Sequence, residues 1–410
     1  MAKEGLSSYF KNFLIQDSLF ADKKSMQAAY VPEDIAHRDE QISQIAEILA
    51  PVLKLEKPSN LFIYGKTGTG KTLSVQYTMD NILNVAKENN VSVKVVYINC
   101  KLKRVADTEY RLIAEIAREF GKTIPATGLP TDEVYKIFYS ALNEEEQILV
   151  LVLDEIDQLI KKSGDEIIYN LTRINSELKN SQVTLIGISN DLMFANHIDP
   201  RVKSSLSEEE LIFPPYNALQ IQDILRNRSS VAFKKDALDD GVIPKCAAYA
   251  AREHGDARRA IDLLRVAGEL AERGKSERVE IKHIDMAEEK IERDRIIDVV
   301  ETQPKQFQAT LISIFLLLRS TKNKAIFTGD VYDVYKDLCP RFGLKPITQR
   351  RISDIVAELD MLGLINAKVI SKGRHGRTRE IQIGVPSHLA DKVQLLLAKE
   401  LGVDIKELLE

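Results

Sequence analysis

The stretch Asn60–Leu73, NLFIYGKTGTGKTL, is expected to decide the fold of the chain. Residues Leu61 to Tyr64 predict a short strand, and the residues after them match GxxxxGK[ST] at every fixed position. The glycines allow backbone N–H groups to face a phosphate, and the dipole of the following helix favours the same anion. Lys71 is expected to reach the β- and γ-phosphates, and the Thr72 hydroxyl to ligate Mg²⁺. The predicted ATP or ADP site comprises Gly65, Lys66, Thr67, Gly68, Thr69, Gly70, Lys71 and Thr72.

The bulk composition indicates a multidomain globular protein. A chain of 410 residues is too long for one ordinary core, so two or three domains are expected. The net charge is only −4, and any nucleic-acid surface must therefore be local. Cys100, Cys246 and Cys339 lack the spacing of metal ligands, which favours a reducing compartment. The first residues lack a signal-peptide pattern, so we expect a cytoplasmic, nucleoid-associated protein without a membrane partner.

Acidic and polar residues follow two further predicted strands. The apolar run Ile148–Leu153 predicts a strand buried on both faces of a parallel sheet, and it ends in Asp154 and Glu155. Residues past the carboxyl end of such a strand lie beside the phosphate loop. Asp154 is expected to hold Mg²⁺ through water, and Glu155 to polarise the water that attacks the γ-phosphate. Asn190, after the strand Val183–Ser189, could orient that water or merely begin a turn.

Three other segments supply candidates for nucleotide contacts. The segment that begins at Val31 precedes the phosphate-loop strand, where nucleotide-binding folds often place residues that touch the base. Arg201, in a cationic turn, is a candidate to contact phosphate across a subunit boundary. Arg258 begins a helix in a region of purely helical periodicity, where the helix dipole does not favour it. It could instead face the γ-phosphate.

The C-terminal third carries a local excess of positive charge. Thr348 is a good N-cap for a helix with an apolar stripe, and Arg350 and Arg351 in its first turn oppose the helix dipole. A hairpin with a basic tip follows, and the order helix, helix, hairpin is that of a winged helix. Double-stranded DNA is favoured over a solvated basic face as the explanation. The predicted DNA contacts here are Arg350, Arg351, Lys372, Arg374, His375, Arg377 and Arg379.

The motif set resembles that of AAA+ ATPases: Gly65–Thr72 is similar to Walker A, Asp154–Glu155 to Walker B, Asn190 to sensor 1 and Arg258 to sensor 2. Arg201 resembles an arginine finger, although Ser205 stands where many relatives carry an arginine. Together with the helical insertion after the second strand and the winged helix, these motifs resemble the archaeal origin-recognition, helicase-loading initiators. That resemblance implies tight ATP binding, slow hydrolysis and recruitment of the replicative helicase. It also implies that the insertion, with Lys122 and Thr123, contacts DNA.

The expected fold is therefore α/β: an AAA+ P-loop ATPase core with a parallel five-stranded sheet and helices on both faces, an all-α lid and a winged-helix domain. The expected boundaries are an N-terminal segment 1–30, a base 31–215 with the insertion at about 104–142, a lid 216–292, a linker 293–304 and a winged helix 305–410. The function expected is that of an ATP-switched initiator on double-stranded origin DNA, with paralogous subunits and the replicative helicase as further partners. The alternatives are a clamp-loader-type remodeller and a nucleotide-sensing transcription regulator.

Overall fold

The structure, a computed structural model, describes residues 10, 17–27, 30–32, 34–101, 108–125, 127–194, 198–206, 208–321, 325–371, 377–405 and 408. It divides into two compact units, Met1–Ile284 and Asp285–Glu410. In the described part of the chain, no helix has both the length and the apolar character needed to cross a bilayer.

A parallel sheet of five strands forms the centre of the first unit, as the sequence predicts. The strand order is β2-β3-β4-β1-β5. In this sheet Asn99 pairs with Asp154 and Tyr64 pairs with Ser189, so the strands end at one common edge. The strands are β1 (Leu61–Tyr64), β2 (Val93–Asn99), β3 (Gln147–Asp154), β4 (Ser181–Ser189) and β5 (Glu209–Ile212).

Helices cover both faces of this sheet, because successive residues of a strand point to opposite sides. Leu149, Leu151 and Leu153 of β3 belong to one core, and Ile148 and Val152 belong to the other. The second core also contains buried residues of α1 (Asp39–Leu49) and α2 (Lys71–Glu88). The first core is covered by α3 (Glu109–Glu119), α4 (Thr131–Leu142), α5 (Ile156–Ser163), α6 (Glu166–Arg173) and α7 (Pro200–Leu206).

The predicted insertion contributes to the core of the sheet. Its helices α3 and α4 bury Leu112, Ile116, Val134 and Phe138 in the same cluster as the strand residues. Between these helices, the described residues 120–125 and 127–130 belong to neither a helix nor a strand. The beginning of the predicted insertion, at residue 104, lies outside the described residues.

Helices alone build the rest of the first unit in the region of the predicted lid. They are α8 (Ala218–Ala232), α9 (Val242–Arg252), α10 (Ala257–Arg273) and the beginning of α11 (Ile281–Thr302). The N-terminal segment packs on them: the rings of Phe20 and Phe233 are 4.5 Å apart, and a Cβ on Gly268 would lie 2.6 Å from Phe20. Most of the segment predicted as a linker, 293–304, is the second half of α11.

The second unit is a helical cluster with a small antiparallel sheet in the order β6-β8-β7. The predicted apolar stripe of the helix after Thr348 comprised Ile352, Ile355, Val356, Leu359 and Leu362. The first four are buried in one core, whereas Leu362, at the C-cap of the helix, is exposed. Strand β6 (Ile326–Phe327) and the last helix of the chain were not predicted from the sequence. The elements are α12 (Lys305–Ser320), β6, α13 (Thr328–Leu338), α14 (Gln349–Met361), β7 (Ile365–Ser371), β8 (Arg377–Ile383) and α15 (Ser387–Leu401).

Candidate nucleotide site and nucleic-acid surface

The phosphate loop connects β1 to α2 at the carboxyl edge of the sheet. Gly68 and Gly70 have φ values of +72° and +88°, which residues with a side chain rarely adopt. The Thr69 hydroxyl donates to the Lys66 carbonyl at 2.8 Å and closes the turn. The loop therefore has the local conformation that the glycine pattern predicts.

Lys71 lies inside this loop, with a side chain only 4% exposed. Its Nζ donates to the carbonyls of Gly65 and Lys66 at 2.8 and 2.7 Å and to Asn190 Oδ1 at 2.8 Å. Burial lowers the pKa of Lys71 to about 8, while Asp154 opposes the shift and Arg258 adds to it. The ammonium is therefore poorly solvated, and three oxygen atoms of the protein hold it in place.

Asp154 ends β3 and is almost fully buried. Its Oδ2 accepts from the Thr72 hydroxyl at 2.9 Å and from the Tyr97 hydroxyl, and its Oδ1 accepts from the Glu155 N–H at 2.9 Å. Burial, together with the Asp154 carboxylate, raises the pKa of Tyr97, so Tyr97 is the proton donor of this pair. The carboxylate is therefore oriented by three donors, one of which is the Thr72 hydroxyl.

Glu155 has a φ of +54°, which is uncommon for a residue with a side chain. Its carboxylate is 3.6 Å from the Nζ of Lys101, and only 19% of its side chain is exposed. Strained backbone of this kind is concentrated at functional sites. Glu155 and Asp154 are adjacent in the chain, but they face different partners.

The lid touches the loop directly. The Ala257 N–H donates to the Gly68 carbonyl at 3.2 Å, and a Cβ on Gly68 would lie 1.7 Å from Asp256 Oδ1. Asp256 also caps α10, because it accepts from the Arg258 and Arg259 N–H groups at 2.8 and 3.2 Å. A cleft of about 210 Å³ lies here, lined by Lys66, Thr67, Asn190, Glu253, His254 and Asp256.

The other residues predicted to contact the nucleotide lie farther from Lys71 and Asp154. Arg258 is exposed in the first turn of α10, near enough to affect the pKa of both Lys71 and Tyr97. Arg201 is 75% exposed and binds Asp199, with Nη2 and Oδ2 at 3.0 Å. Val31 is half exposed. The structure thus brings Lys71, Thr72, Asp154 and Asn190 into contact, and Arg258 into their field, but gives Arg201 a different partner.

The basic residues of the second unit are exposed or bound to neighbours within that unit. Arg350 is exposed, whereas Arg351 Nη1 is 3.7 Å from Asp354 and 3.8 Å from Glu358. An ion pair within α14 thus offsets the unfavourable dipole that we noted for Arg351. Arg379 Nη1 donates to the Ser353 carbonyl at 3.1 Å and ties the hairpin to α14. Lys372, Arg374 and His375 lie outside the described residues, as does the side chain of Arg377.

The predicted contacts in the insertion lie in the loop after α3. Thr123 is exposed. The Nζ of Lys122 donates to Glu144, and its side chain is 31% exposed. A nucleic acid at this loop would therefore compete with Glu144 for the lysine.

Three residues at the nucleotide site were missed from the sequence: Arg38, Tyr97 and Asp256. Tyr97 stands in a predicted strand, and Asp256 precedes the predicted Arg258. Only the N-cap preference of an aspartate before a helix could have drawn attention to Asp256. Nothing in the pattern around Tyr97 or Arg38 indicates a contact that spans so much of the chain.

The residues present fit a nucleoside triphosphate with Mg²⁺. The loop offers a glycine cradle, a buried ammonium, and a hydroxyl next to a carboxylate. Mg²⁺ usually takes few protein ligands and completes its octahedron with water and phosphate oxygens. The described residues contain no group of three or more His, Cys, Asp or Glu that could hold a metal by themselves.

Comparisons with known proteins agree with this architecture. Residues 55–192 match an AAA domain, 222–289 the Cdc6 AAA+ ATPase-type lid domain, and 298–393 the CDC6 C-terminal winged helix domain. A curated relative, the ORC1-type DNA replication protein of Pyrococcus horikoshii, is 53% identical over 93% of this chain and 91% of its own. The ORC1-type DNA replication protein 1 of Methanosarcina mazei is 49% identical over 96% and 94%.

A solved structure covers nearly the whole chain. It is the Aeropyrum pernix ORC1 protein in complex with DNA, with a TM-score of 0.82 and 44% identity over 94% of this chain and 98% of that one. The parallel sheet, the phosphate loop and the helical lid together define an AAA+ ATPase. Within that class, the chain belongs to the family of archaeal ORC1-type DNA replication proteins.

Proposed function

We propose that this chain is a replication initiator that binds double-stranded origin DNA and is switched by ATP. The observation that carries the ATP switch is the contact between the loop and the lid at Gly68 and Asp256. Any phosphate in the loop has to be accommodated by the lid, so binding and release would change the lid position. The proposed working parts are a base at 31–215, a lid at 216–292 and a DNA-binding module at 305–410, with 1–30 and 293–304 as flanking segments.

In this proposal ATP is held by the loop residues, and Val31 would lie near the adenine base of the nucleotide. Lys71 would exchange its two carbonyl acceptors for phosphate oxygens. Thr72 and, through water, Asp154 would hold Mg²⁺, and Tyr97 keeps the Asp154 carboxylate in place. When bound, Mg²⁺ would neutralise part of the phosphate charge. Arg258 would add a second positive charge from the lid.

Glu155 would accept the proton of the attacking water, and Asn190 would orient that water. Two contacts support slow hydrolysis: Glu155 lies 3.6 Å from Lys101, and Asn190 Oδ1 accepts from Lys71. Both side chains would have to leave these partners before they could act on water. Hydrolysis would then serve as a timer for a switch rather than as a motor.

Arg201 would act on a nucleotide bound by another subunit. Its side chain is exposed and binds Asp199, its own neighbour in sequence. An arginine on the surface can complete a phosphate site on a second copy or on a paralogous subunit. This role predicts that Arg201→Ala affects hydrolysis only under conditions in which subunits associate.

On DNA, α14 would lie in the major groove with Arg350 and Arg351 at its leading end. Arg379 and the residues Lys372, Arg374, His375 and Arg377 of the hairpin would contact the adjacent backbone. Lys122 and Thr123 would add a second contact from the insertion. The Aeropyrum pernix relative is described in complex with DNA, which supports this proposal. An initiator of this kind would help recruit the replicative helicase and would work at the nucleoid in the cytoplasm.

The nucleotide half of the proposal is tested by Lys71→Ala. We expect this variant to lose ATP affinity by roughly a hundredfold, because removal of a buried charge from a charged contact costs about 3 kcal/mol. Lys87→Ala, at the exposed end of the same helix, is the matched control. Retention of ATP by Lys71→Ala would contradict the proposed site.

The DNA half is tested by footprinting on the chromosomal region beside the gene of this protein. We expect protection of repeated elements, with an affinity that falls steeply as the salt concentration rises. Protection that shows no preference for repeated elements over random duplex would contradict origin recognition. Measurement with ATP, with ADP and without nucleotide shows in addition whether the nucleotide changes the footprint.

A further inference from the structure

Arg38 is a buried cation that neither the nucleotide motifs nor the DNA surface explains. Its side chain is 2% exposed at the start of α1. Within the part of the chain that the structure describes, no carboxylate forms an ion pair with it. Its burial lowers the pKa of the guanidinium, partly offset by Tyr216. A buried charge without a counter-ion is expensive, so the contacts that hold it need an explanation.

Backbone carbonyls and aromatic rings take the place of the counter-ion. Nε donates to the Thr69 carbonyl at 2.8 Å, Nη1 to the His37 carbonyl at 3.1 Å and Nη2 to the Pro214 carbonyl at 2.6 Å. The guanidinium also lies over the ring of Tyr216, 3.8 Å from its centroid. Thr69 belongs to the phosphate loop, whereas Pro214 and Tyr216 form the connection from β5 to the first lid helix.

Tyr216 is itself packed between the loop and the lid. A Cβ on Gly70 would lie 2.7 Å from the Tyr216 hydroxyl, and a Cβ on Gly255 would lie 2.3 Å from the Tyr216 carbonyl oxygen. Gly255 directly precedes Asp256, the residue whose carboxylate contacts Gly68. The connection therefore touches the phosphate loop on one side and the start of the lid contact on the other.

The residue before Arg38 reaches the lid as well. His37 has a φ of +63°, and its Nε2 is 3.2 Å from Asp223 Oδ2 in α8. The pair His37–Arg38 thus contacts the loop, the connection to the lid and the first lid helix. A single planar guanidinium therefore links the Thr69 carbonyl to Pro214 and Tyr216.

We propose that Arg38 is a positioning residue that makes the base–lid connection respond to occupancy of the phosphate loop. The inference rests on the proposed nucleotide switch, and it adds the residue through which the phosphate loop is coupled to the lid. A lysine cannot replace Arg38, because an ammonium lacks both the planar fork and the stacking surface that these contacts use. The role is distinct from that of Lys71, since Arg38 contacts the Thr69 carbonyl and the connection to the lid, whereas Lys71 contacts the carbonyls of Gly65 and Lys66 and the Asn190 side chain.

The test is hydrogen–deuterium exchange of the full chain with and without saturating ATP. In the unaltered protein we expect ATP to slow exchange in the loop, at 65–72, and also in the connection and lid start, at 213–217 and 254–258. In Arg38→Met and Arg38→Lys we expect the loop to remain protected at saturating ATP. The ATP-dependent protection of the connection should fall about tenfold or more, as for loss of hydrogen bonds from a charged donor.

Arg228→Met is the matched control. Arg228 is a partly buried arginine that, like Arg38, stacks on a tyrosine: it lies 4.5 Å from the Tyr30 centroid and donates to the carbonyls of Ser25 and Tyr30. We expect this variant to lose stability without losing the response of 213–217 to ATP. If Arg38→Met does not fold, Arg38→Lys and Tyr216→Leu test the same contact with the charge retained.

The coupling role would be overturned if ATP slowed exchange in the connection of the Arg38 variants as much as it does in the unaltered protein. Loss of the response in Arg228→Met to the same extent would also overturn it, because any buried arginine would then have that effect. Failure of the unaltered protein to bind ATP is a separate result, which would refute the nucleotide switch itself.

Discussion

Lys71 and Arg350 are both cations that we expect to meet phosphate, but they lie in opposite environments. Lys71 is 4% exposed and is held by three oxygen atoms of the protein. Arg350 is exposed at the start of α14. A pre-organised buried group changes binding steeply when it is altered, whereas an exposed group contributes a small increment that salt screens.

The largest effect is expected for Glu155→Gln. Loss of a general base slows the chemical step by roughly a hundredfold or more, while the nucleotide contacts stay in place. Single-turnover hydrolysis of bound ATP measures the rate, and Glu166→Gln on α6 is the control for the loss of a charge. An unchanged rate would show that Glu155 is not the base, and that the buried site is less pre-organised than its contacts indicate.

The second prediction concerns pH. The pKa of Lys71 lies near 8 in the folded chain, so above that pH ATP binding has to be coupled to uptake of a proton by the Lys71 amine. We expect ATP affinity to fall by up to about tenfold per pH unit above pH 8. Lys71→Arg stays protonated and should give a flat profile. ATP titrations between pH 7 and pH 9.5 test this prediction. It would be contradicted if the affinities of the unaltered protein and of Lys71→Arg changed in parallel with pH.

The same shift affects stability without nucleotide. The folded-state pKa of about 8 lies below the 10.5 of an exposed lysine, so the unfolded chain binds more protons between these values. The contribution of Lys71 to the free energy of unfolding therefore rises with pH across that window. Denaturant titrations of the protein and of Lys71→Met at pH 7.5 and pH 9.5 measure this contribution.

The third prediction compares neighbouring residues of the exposed surface. Arg350→Ala should weaken DNA binding by about 1 kcal/mol, or roughly fivefold, and reduce the salt slope by about 1. Arg351→Ala should have a smaller effect, because Asp354 and Glu358 already compete for its charge. Asp354→Asn should increase the affinity. DNA-binding titrations at several salt concentrations test these variants. Equal losses of DNA affinity in the two arginine variants would contradict the predicted difference between Arg350 and Arg351.

The smallest effect is expected in the insertion. Lys122 binds Glu144, and exposed pairs contribute only about 0–1 kcal/mol. If Lys122 contacts DNA, Glu144→Gln should raise the affinity by about twofold, and Lys122→Ala should lower it by a similar factor. A DNA titration at low salt, where such a difference is largest, decides the sign. A decrease for both variants would show that the pair matters for the shape of the loop rather than for DNA.

The sequence by itself determined the class, the phosphate loop and the ends of the strands. GxxxxGK[ST] specifies backbone conformation through its glycines, and the apolar run of β3 places Asp154 next to Thr72 because parallel strands share one carboxyl edge. These are local patterns with a fixed geometric consequence. They needed no knowledge of which helix packs on which.

Only the tertiary structure decided which side chains support that site. The Tyr97 contact with Asp154 spans 57 residues, and the Arg38 contact with Pro214 spans 176. Neither residue type is unusual where it stands. Tyrosine is favoured in strands, and arginine is common at the start of a helix even though the helix dipole does not favour it there. Contacts between elements far apart in the chain depend on how the helices and loops settle on the sheet, and that is decided by packing rather than by any local pattern.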